Sequence, residues 1–194
     1  MQNKKRTAVL ISGNGGNLQA LIDASTQLKD YPAKICLVIS NKPEAYGLIR
    51  AKKAGIKNLC IDHKNFKTRE EFDEEVHKQL IAEKIEIVCL AGFMRILSGE
   101  FVNKWQGRML NIHPSLLPLF KGANGVRDAL AAGASTSGCT VHMVIPELDS
   151  GEIIVQRSID ILPNDTEDTL AQRIHQQEHI AYPEALQILA EKLR

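Results

Sequence analysis

The sequence predicts an α/β protein with a doubly wound, mostly parallel sheet, and three observations lead to this fold class. The first half of the chain alternates short apolar segments with segments of helical periodicity. The apolar segments are continuous, which is typical of strands that helices cover on both faces. Polar and glycine residues follow several of them, as expected where ligands bind beyond the carboxyl ends of parallel strands.

Each element of the parallel part is predicted from its residue pattern. Five apolar segments are predicted strands, at Thr7–Ser12, Lys34–Ser40, Asn58–Ile61, Glu86–Ala91 and Arg108–His113. Three segments with helical periodicity lie between them, at about Asn17–Leu28, Glu44–Ala54 and Thr68–Ala82. Thr68 and Glu71 are spaced as a capping box for the third helix, and Gly55 closes the second.

The chain beyond the fifth strand has a different pattern. Ser137–Ile145 and Glu152–Asp160 alternate polar and apolar residues, so they are predicted to form an antiparallel pair beside the parallel strands. Thr166 is predicted to cap a C-terminal helix. Pro183 should break or kink this helix before a second helical piece at Glu184–Lys192.

The composition is that of an ordinary globular protein, because 44% of the 194 residues are hydrophobic and 24% are charged. A formal net charge of +1 gives no indication of a nucleic-acid or membrane surface, and no apolar run is typical of a signal peptide or membrane span. Four cysteines without a C-x-x-C pair favour reduced thiols in a cytoplasmic protein. We expect one domain over residues 1–194, with Lys4–Arg6 in a solvated tail.

A glycine-rich turn follows the first predicted strand, in the segment ISGNGGNL at Ile11–Leu18. A strand, such a turn and a helix start form a cradle in which backbone N–H groups and the helix dipole face an anion. Gly15 and Gly16 permit close approach of the backbone. Leu18 replaces the third glycine of a dinucleotide fingerprint and no G-K-[ST] follows, so a phosphate monoester fits best. The alternative is a tight turn without a ligand.

Asn111 and His113 lie two residues apart at the end of the fifth predicted strand, in NIHPSLLP. Residues two apart on a strand share a face, so both side chains reach one point. An amide donor and an imidazole suit a developing oxyanion, and Pro114 and Pro118 stiffen the following chain. A histidine that only caps the strand end is equally compatible with the local sequence.

Two further polar segments admit a structural and a functional interpretation. Asp149, in the turn ELDSG, either bonds its own backbone or is the carboxylate partner of a histidine. His175, Glu178 and His179 match the H-x-x-E-H zinc signature. Zinc needs a third protein ligand downstream and only 15 residues follow His179, so we expect no metal. The segment is then a polar helix face or the rim of a substrate pocket.

Five segments together resemble a known family, in the order AVLISGNGGNLQALID, LAGFMRILS, NIHPSLLPLFKG, GCTVH and ELDSGEIIVQ. They are similar to the folate-dependent formyltransferases, and the cradle with the QEH segment narrows the resemblance to the glycinamide ribonucleotide formyltransferases of purine synthesis. The resemblance extends from about Thr7 to Leu189. It implies direct transfer of a formyl group from 10-formyltetrahydrofolate to the amine of glycinamide ribonucleotide, without metal or covalent enzyme intermediate.

The resemblance implies that Asn111, His113 and Asp149 are the catalytic residues. Asn111 and a protonated His113 would stabilise the oxyanion. Asp149 would orient and charge His113 and help to organise the proton path from the amine. The resemblance also implies a phosphate-binding half at about residues 1–105 and a catalytic and folate-binding half at about residues 106–194.

The substrate contacts follow from the same resemblance. The ribonucleotide would be bound by Gly15, Gly16, Asn17, His175 and Glu178. The folate would be bound by Arg69, Met94, Arg95, Ile96, Leu97, Asn111, Ile145 and Glu147. Backbone groups of Arg95 and Leu97 would read the pterin edge. Three positions depart from the family, because Gly16 replaces a serine, Val126 replaces a histidine and His175 replaces a lysine or glutamine.

Three alternative functions would use the same fold and some of the same site residues. A methionyl-tRNA formyltransferase carries a second, basic domain and a formyltetrahydrofolate hydrolase carries a regulatory domain, and we expect neither here. A binding module that has lost catalysis is disfavoured by the three intact catalytic residues, although Val126 leaves it open. The expected partners are two small-molecule substrates, without nucleic acid or membrane, and the chain is expected to be a monomer or weak homodimer.

Overall fold

The computed structural model describes residues 4–193, in which seven strands form one sheet. The strands are β1 (Lys5–Ile11), β2 (Ala33–Ser40), β3 (Lys57–Cys60), β4 (Ile87–Leu90), β5 (Met109–His113), β6 (Thr136–Met143) and β7 (Ile153–Asp160). The helices are α1 (Gly16–Gln27), α2 (Tyr46–Lys53), α3 (Arg69–Ala82), α4 (Gly99–Lys104), α5 (Gly125–Ala131) and α6 (Glu167–Lys192). A short 3-10 helix lies at His63–Asn65.

The strand order in the sheet is β3-β2-β1-β4-β5-β6-β7. The first five strands of the chain run parallel, whereas β6 is antiparallel to both β5 and β7. The predicted fold class, including the antiparallel pair and the C-terminal helix, is therefore confirmed. The direction of winding reverses between β1 and β4, and such a reversal opens a crevice beyond the carboxyl ends of the strands.

Alternate residues of the central strand β1 enter two different cores, one on each face of the sheet. Val9 and Ile11 belong to the core that contains residues of α1 and α6. Ala8 and Leu10 belong to the core that contains residues of α3 and α4. None of these four residues has exposed surface. Burial on both faces explains why the apolar residues of β1 run continuously in the sequence.

The C-terminal helix α6 continues through Pro183, so the predicted break there is wrong. Proline removes a backbone donor from a helix and usually interrupts it. Here the hydroxyl of the fully buried Tyr182 donates to the carbonyls of Leu90 and Leu110. The hydroxyl of Tyr31 donates to the carbonyl of Pro183 at 2.7 Å. These tertiary contacts hold the helix on either side of the proline.

Two helices, α4 and α5, were not predicted from the sequence because they contain six and seven residues, too few for a recognisable period. The predicted capping box of α3 is half formed. Oγ1 of Thr68 accepts from the N–H of Glu71, but the Glu71 carboxylate accepts from the N–H of Lys67. The predicted start of α3 is therefore right, although only one of its two expected contacts is present.

The basic residues near the N-terminus are part of the sheet, so the predicted solvated tail is wrong for Lys5 and Arg6. Nζ of Lys5 lies 2.9 Å from Oε1 of Glu86. Nε of Arg6 donates to the carbonyl of Glu83 at 2.8 Å. Glu86 immediately precedes β4, and Glu83 is the C-cap of α3, so these contacts join the start of β1 to the segment that leads into β4.

The four cysteines are free thiols in different environments. Cys89 and Cys139 are buried, and burial raises the pKa of each thiol to about 12. Cys60 is exposed, and Cys36 is intermediate. The two buried thiols are therefore protonated and unreactive near neutral pH. Separately, none of the helices in residues 4–193 is long and apolar enough to cross a membrane.

Candidate active site

One hydroxyl group forms hydrogen bonds that connect the loops at the carboxyl ends of three parallel strands. Ser12, just after β1, donates from Oγ to Oδ1 of Asn41, just after β2, at 2.6 Å. The same hydroxyl accepts from the backbone N–H of Met94, which follows β4, at 2.8 Å. Because Ser12 and Asn41 are buried, these bonds fix the relative positions of the loops that surround the crevice.

Asn111 and His113 end strand β5 and share one face of the sheet. The antiparallel register sets His142 of β6 opposite Asn111, and Thr140 opposite His113. Nδ2 of Asn111 lies 3.3 Å from Nε2 of His142. The structure thus adds a second imidazole to the amide and imidazole that the sequence predicts.

Asp149 lies in the loop between β6 and β7 and has a φ of 48°, which is uncommon for a residue other than glycine. Its Oδ2 lies 3.6 Å from Nδ1 of His113, and its Oδ1 lies 3.6 Å from Nε2 of His142. The backbone N–H of Gly122 donates to Oδ2 at 2.9 Å. The carboxylate therefore bridges two histidines, as in the functional alternative of the sequence analysis, and does not merely bond its own turn.

The hydrogen-bond partners define which ring nitrogens carry hydrogen. Nε2 of His113 lies 2.9 Å from the carbonyl oxygen of Phe120, and Nδ1 of His142 lies 2.9 Å from that of Met143. A carbonyl oxygen only accepts hydrogen bonds, so both of these nitrogens carry hydrogen. When the His142 ring is neutral, its Nε2 is consequently the acceptor for the amide of Asn111.

The carboxyl of Asp149 is held in its ionised form. Burial by itself raises the pKa of this carboxyl, but the attraction of His142, the hydrogen bond from the N–H of Gly122 and the charge of His113 outweigh burial and lower the pKa below its usual range. An ionised carboxylate here attracts a positively charged imidazole. The arrangement can therefore stabilise negative charge that develops next to Asn111 and His113.

The glycine-rich turn forms the predicted cradle at the start of α1. Gly15 has a φ of 76° and precedes the helix, and Gly16 is its first residue. The first helical turn contains no acidic residue, so nothing there opposes the positive end of the helix dipole. Nε of Arg50 on α2 donates to the carbonyl of Asn14 at 2.8 Å, which adds a positive charge beside the turn. This geometry suits a phosphate group.

Asn17 and Glu178 connect the cradle to α6. Nδ2 of Asn17 donates to Oε2 of Glu178 at 2.8 Å, and Glu178 is only 4% exposed. Burial raises the pKa of the Glu178 carboxyl, although the Asn17 hydrogen bond and the charge of His175 oppose the shift. His175 is exposed on the preceding turn of the same helix. The structure thus brings the residues predicted for the ribonucleotide to one end of the crevice.

The segment between β4 and α4, predicted to bind the folate, combines exposed apolar side chains with free backbone donors. Met94 is 71% exposed and Ile96 is 64% exposed. Among residues 4–193, the backbone N–H groups of Arg95 and Leu97 have no hydrogen-bond partner. The guanidinium of Arg95 lies 5.6 Å from the ring centroid of Phe72 on α3. Such a surface fits a flat heteroaromatic group with a polar edge.

The other predicted folate residues lie on different elements. Arg69 is the exposed first residue of α3, and its side chain has no hydrogen bond to any of residues 4–193. Ile145 and Glu147 lie in the loop between β6 and β7. The closest link between α3 and the folate segment was not predicted, namely Oδ2 of the buried Asp73, which accepts from the N–H of Ser98 at 2.7 Å.

The structure adds to what was expected of three further parts of the sequence. His142 was missed as a site residue, although an antiparallel pairing of β5 with β6 would have placed it opposite Asn111. Val126 is buried in the core that contains residues of α1 and α6. In the H-x-x-E-H segment Glu178 bonds Asn17, and no cluster of three or more His, Cys, Asp or Glu side chains within residues 4–193 could hold a metal ion.

The sheet and the site together define a class of protein. A phosphate cradle follows β1, a segment suited to a heteroaromatic ligand follows β4, and an amide, two imidazoles and a carboxylate surround the end of β5. These features are typical of an α/β group-transfer enzyme that acts on a phosphorylated substrate.

The chain belongs to the formyl transferase family, because the family model described as "Formyl transferase" matches residues 5–186. The protein "Phosphoribosylglycinamide formyltransferase" of Escherichia coli (strain K12) is 45% identical over 175 residues, which cover 90% of this chain and 82% of that protein. The "Trifunctional purine biosynthetic protein adenosine-3" of Drosophila melanogaster is 54% identical over 189 residues. That match covers 97% of this chain but only 14% of the Drosophila protein.

Solved structures agree with this family membership. The crystal structure of phosphoribosylglycinamide formyltransferase from Brucella melitensis superposes with a TM-score of 0.92 at 45% sequence identity. The match covers 97% of this chain and 96% of the Brucella chain. The predicted family resemblance is therefore confirmed over nearly the whole chain.

Proposed function

We propose that this chain transfers a formyl group from 10-formyltetrahydrofolate to the amine of glycinamide ribonucleotide, giving formylglycinamide ribonucleotide and tetrahydrofolate in purine synthesis. The observation that carries the proposal is the arrangement of Asn111, His113 and Asp149 at the end of β5, in the same crevice as the cradle at Gly15 and Gly16. The names of the relatives in Escherichia coli and Brucella melitensis support the acceptor.

The chemistry is a direct transfer through a tetrahedral intermediate. The amine nitrogen attacks the formyl carbon, and the formyl oxygen becomes an oxyanion as the new carbon–nitrogen bond forms. The bond from the formyl carbon to N10 of the folate then breaks, N10 takes up a proton, and the former amine loses one. Asn111 and His113 are placed to stabilise the oxyanion, and the ionised Asp149 favours positive charge on His113 at that moment.

Each ring nitrogen of His113 already has a neighbour in this structure. Nε2 bonds the carbonyl of Phe120, and Nδ1 faces Asp149. The substrate oxygen therefore competes with the Phe120 carbonyl for the Nε2 hydrogen. A charged oxyanion is a stronger acceptor than a neutral carbonyl, so the exchange favours the tetrahedral intermediate over the bound formyl group.

The two substrates are proposed to bind on opposite sides of the end of β5. The phosphate of the ribonucleotide would occupy the cradle of Gly15, Gly16 and Asn17, and Glu178 with His175 would face its ribose side. The pterin would lie against the segment between β4 and α4, with the loop between β6 and β7 as its wall. Holding both reactants in one crevice supplies the orientation that a bimolecular transfer lacks in water.

We also propose that the chain acts as a monomer or weak homodimer on small molecules, without nucleic acid or membrane. The support is that two polar contacts of the proposed site, His113 with Asp149 and Asn17 with Glu178, form within a single chain. Light scattering over a range of protein concentrations, with kcat measured at each, tests this. A site that depends on a dimer would lose specific activity on dilution.

The deciding experiment combines purified protein with 10-formyltetrahydrofolate and glycinamide ribonucleotide and follows the folate product by absorbance. Turnover that requires the ribonucleotide supports the proposal, turnover without it indicates a hydrolase, and folate binding without turnover indicates an inactive module. Asn111→Ala and His113→Ala should each lower kcat by roughly 100-fold or more. Asn103→Ala, at an exposed position of α4, is the matched control and should leave kcat unchanged.

A further inference from the structure

The phosphate cradle contains a gap that another side chain fills. Gly16 has no side chain, and a Cβ atom added to it would lie 3.0 Å from Nε2 of His179. A contact of this length is tighter than ordinary van der Waals contact, so the ring stands at the edge of the volume that a side chain on residue 16 would use. His179 is therefore the side chain closest to the position that a Cβ on residue 16 would take.

The imidazole of His179 is available to a ligand. Among residues 4–193 it has no hydrogen-bond partner, and the residue is exposed on α6. Gly16, Arg50 and His179 line one open cavity of about 540 Å³, which extends along α1 from its first residue as far as Leu28. Arg50 already donates a hydrogen bond to the carbonyl of Asn14. The ring of His179, in contrast, has a nitrogen without a hydrogen-bond partner among residues 4–193, and it lies beside the first N–H groups of the helix.

We propose that His179 is a phosphate-binding residue of this chain, whose ring nitrogen donates to the phosphate in place of a hydroxyl on residue 16. The inference rests on the proposed ribonucleotide site and adds a residue to it. A phosphate oxygen bound by the N–H groups at the start of α1 lies next to the volume that the Nε2 atom of His179 borders. An imidazolium-to-phosphate bond is a charge-assisted one, which is stronger than a bond from a neutral hydroxyl.

The charge around His179 makes this contact depend on pH. The charged and titratable groups near it are His175 and Glu178 on its own helix, Asp23 on α1 and Arg50 on α2. Burial, and then the charges of His175 and Arg50, lower the pKa of His179. The free ring is therefore neutral near pH 7. A bound dianion raises this pKa, so that binding takes up a proton and tightens as the pH falls towards the pKa of the free ring.

The first experiment measures binding of ribose 5-phosphate by calorimetry at pH 7, in two phosphate-free buffers of different ionisation enthalpy. The unchanged protein should take up part of a proton on binding. His179→Ala should bind roughly tenfold more weakly and lose that proton uptake. Ile180→Ala, in the same cavity but without a polar group, is the control and should match the unchanged protein. Equal affinity and equal proton uptake in His179→Ala would overturn the proposal.

The second experiment tests the spatial exchange between residues 16 and 179. Gly16→Ser alone should weaken binding, because its Cβ crowds the ring. In the His179→Ala background the same serine should strengthen binding, because its hydroxyl can then reach the phosphate. If His179 had only a structural role, the effect of Gly16→Ser on binding would not change from weakening to strengthening when His179 is removed. An equal effect of Gly16→Ser on binding in both backgrounds would refute the proposal that the two side chains substitute for each other.

Steady-state kinetics separate this inference from the proposed function. His179→Ala should raise the KM for glycinamide ribonucleotide roughly tenfold and leave kcat and the KM for the folate unchanged. If no formyl transfer occurs but ribose 5-phosphate binding depends on His179, the phosphate contact stands and the acceptor is wrong. If transfer occurs and His179→Ala changes neither KM, the contact is wrong and the function stands.

Discussion

Nδ1 of His113 lies 3.6 Å from Oδ2 of Asp149, and the side chains of both residues are almost fully buried. The distance exceeds that of a hydrogen bond, so the contact is electrostatic. In a buried site such an attraction is stronger than it is in water. The Asp149 carboxylate therefore stabilises a positive charge on the imidazole, and removal of the carboxylate charge should lower the rate of the reaction.

Asp149→Asn is expected to lower kcat by roughly 100-fold or more, because the charge that stabilises a positive His113 beside the oxyanion is lost. The KM values should change much less, since neither substrate gains or loses a direct contact. The measurement is the steady-state formation of the folate product. Asp160→Asn, on an exposed position at the end of β7, is the matched control. A kcat close to that of the unchanged protein would contradict the role of this carboxylate.

The same carboxyl should make the folded state sensitive to acid. Its pKa is lowered in the folded protein, whereas an unfolded Asp has a pKa of about 3.9. The stability it contributes is therefore present above about pH 4 and is lost as the pH falls through the lower, folded value. Urea unfolding of the unchanged protein and of Asp149→Asn should show a stability difference that shrinks towards low pH. A difference that grows with acid would show that the pKa shift has the opposite sign.

His142 is expected to position Asn111 without itself touching the formyl group. His142→Ala should lower kcat roughly tenfold, because the amide of Asn111 loses its acceptor and Asp149 loses a partner. His142→Gln, which keeps an acceptor at the end of its side chain, should recover part of that loss. Steady-state kinetics and the melting temperature of each variant check this. Equal losses in both variants, with a fall in melting temperature, would indicate a packing role only.

The features that depend on a local residue pattern were predictable from the sequence. Continuous apolar segments identified the central strands of the parallel part, since most residues of β1 and all residues of β4 are buried, whereas the edge strand β3 has no buried residue. The cradle at Gly15 and Gly16 was also recognisable, because a strand, a glycine turn and a helix start are contiguous in the chain. Asn111 and His113 needed only the two-residue period of a strand.

The parts that were missed depend on contacts between distant segments. His142 became a site residue only through the register of β5 with β6, and the sequence had assigned β6 a single partner, β7. The helix continues through Pro183 because the hydroxyl groups of Tyr31 and Tyr182 form tertiary hydrogen bonds there. These bonds depend on packing and not on helix propensity. The bond between His113 and the carbonyl of Phe120 depends on a loop conformation that residue types alone do not define.

Glu178 should show the opposite pH dependence to Asp149. Its pKa is raised by burial, so its charged form is disfavoured in the folded protein. The stability it contributes is fully present below the unfolded value of about 4.3 and is lost as the pH rises through the folded value. Glu178→Gln keeps an acceptor for Asn17 without the charge. Its stability relative to the unchanged protein, measured by denaturant unfolding, should increase from pH 4 to pH 8, and a constant difference would contradict this.

Asp73 is expected to position the folate segment. It is 2% exposed, its Oδ2 accepts from the N–H of Ser98, and its Oδ1 has no partner among residues 4–193. Burial raises the pKa of this carboxyl, so a neutral side chain of the same shape should serve as well. Asp73→Ala should raise the KM for the folate roughly tenfold and leave the KM for the ribonucleotide unchanged, because only the folate segment loses its anchor.

Asp73→Asn, which retains an oxygen acceptor for Ser98, should restore the folate KM towards that of the unchanged protein. Glu70→Ala, at an exposed position of the same helix, is the control for a loss of negative charge on α3. The two KM values are measured separately, with the other substrate saturating. If Asp73→Ala raised both KM values equally, the residue would act through general stability. If Asp73→Asn were as impaired as Asp73→Ala, the charge and not the hydrogen bond to Ser98 would be the anchor.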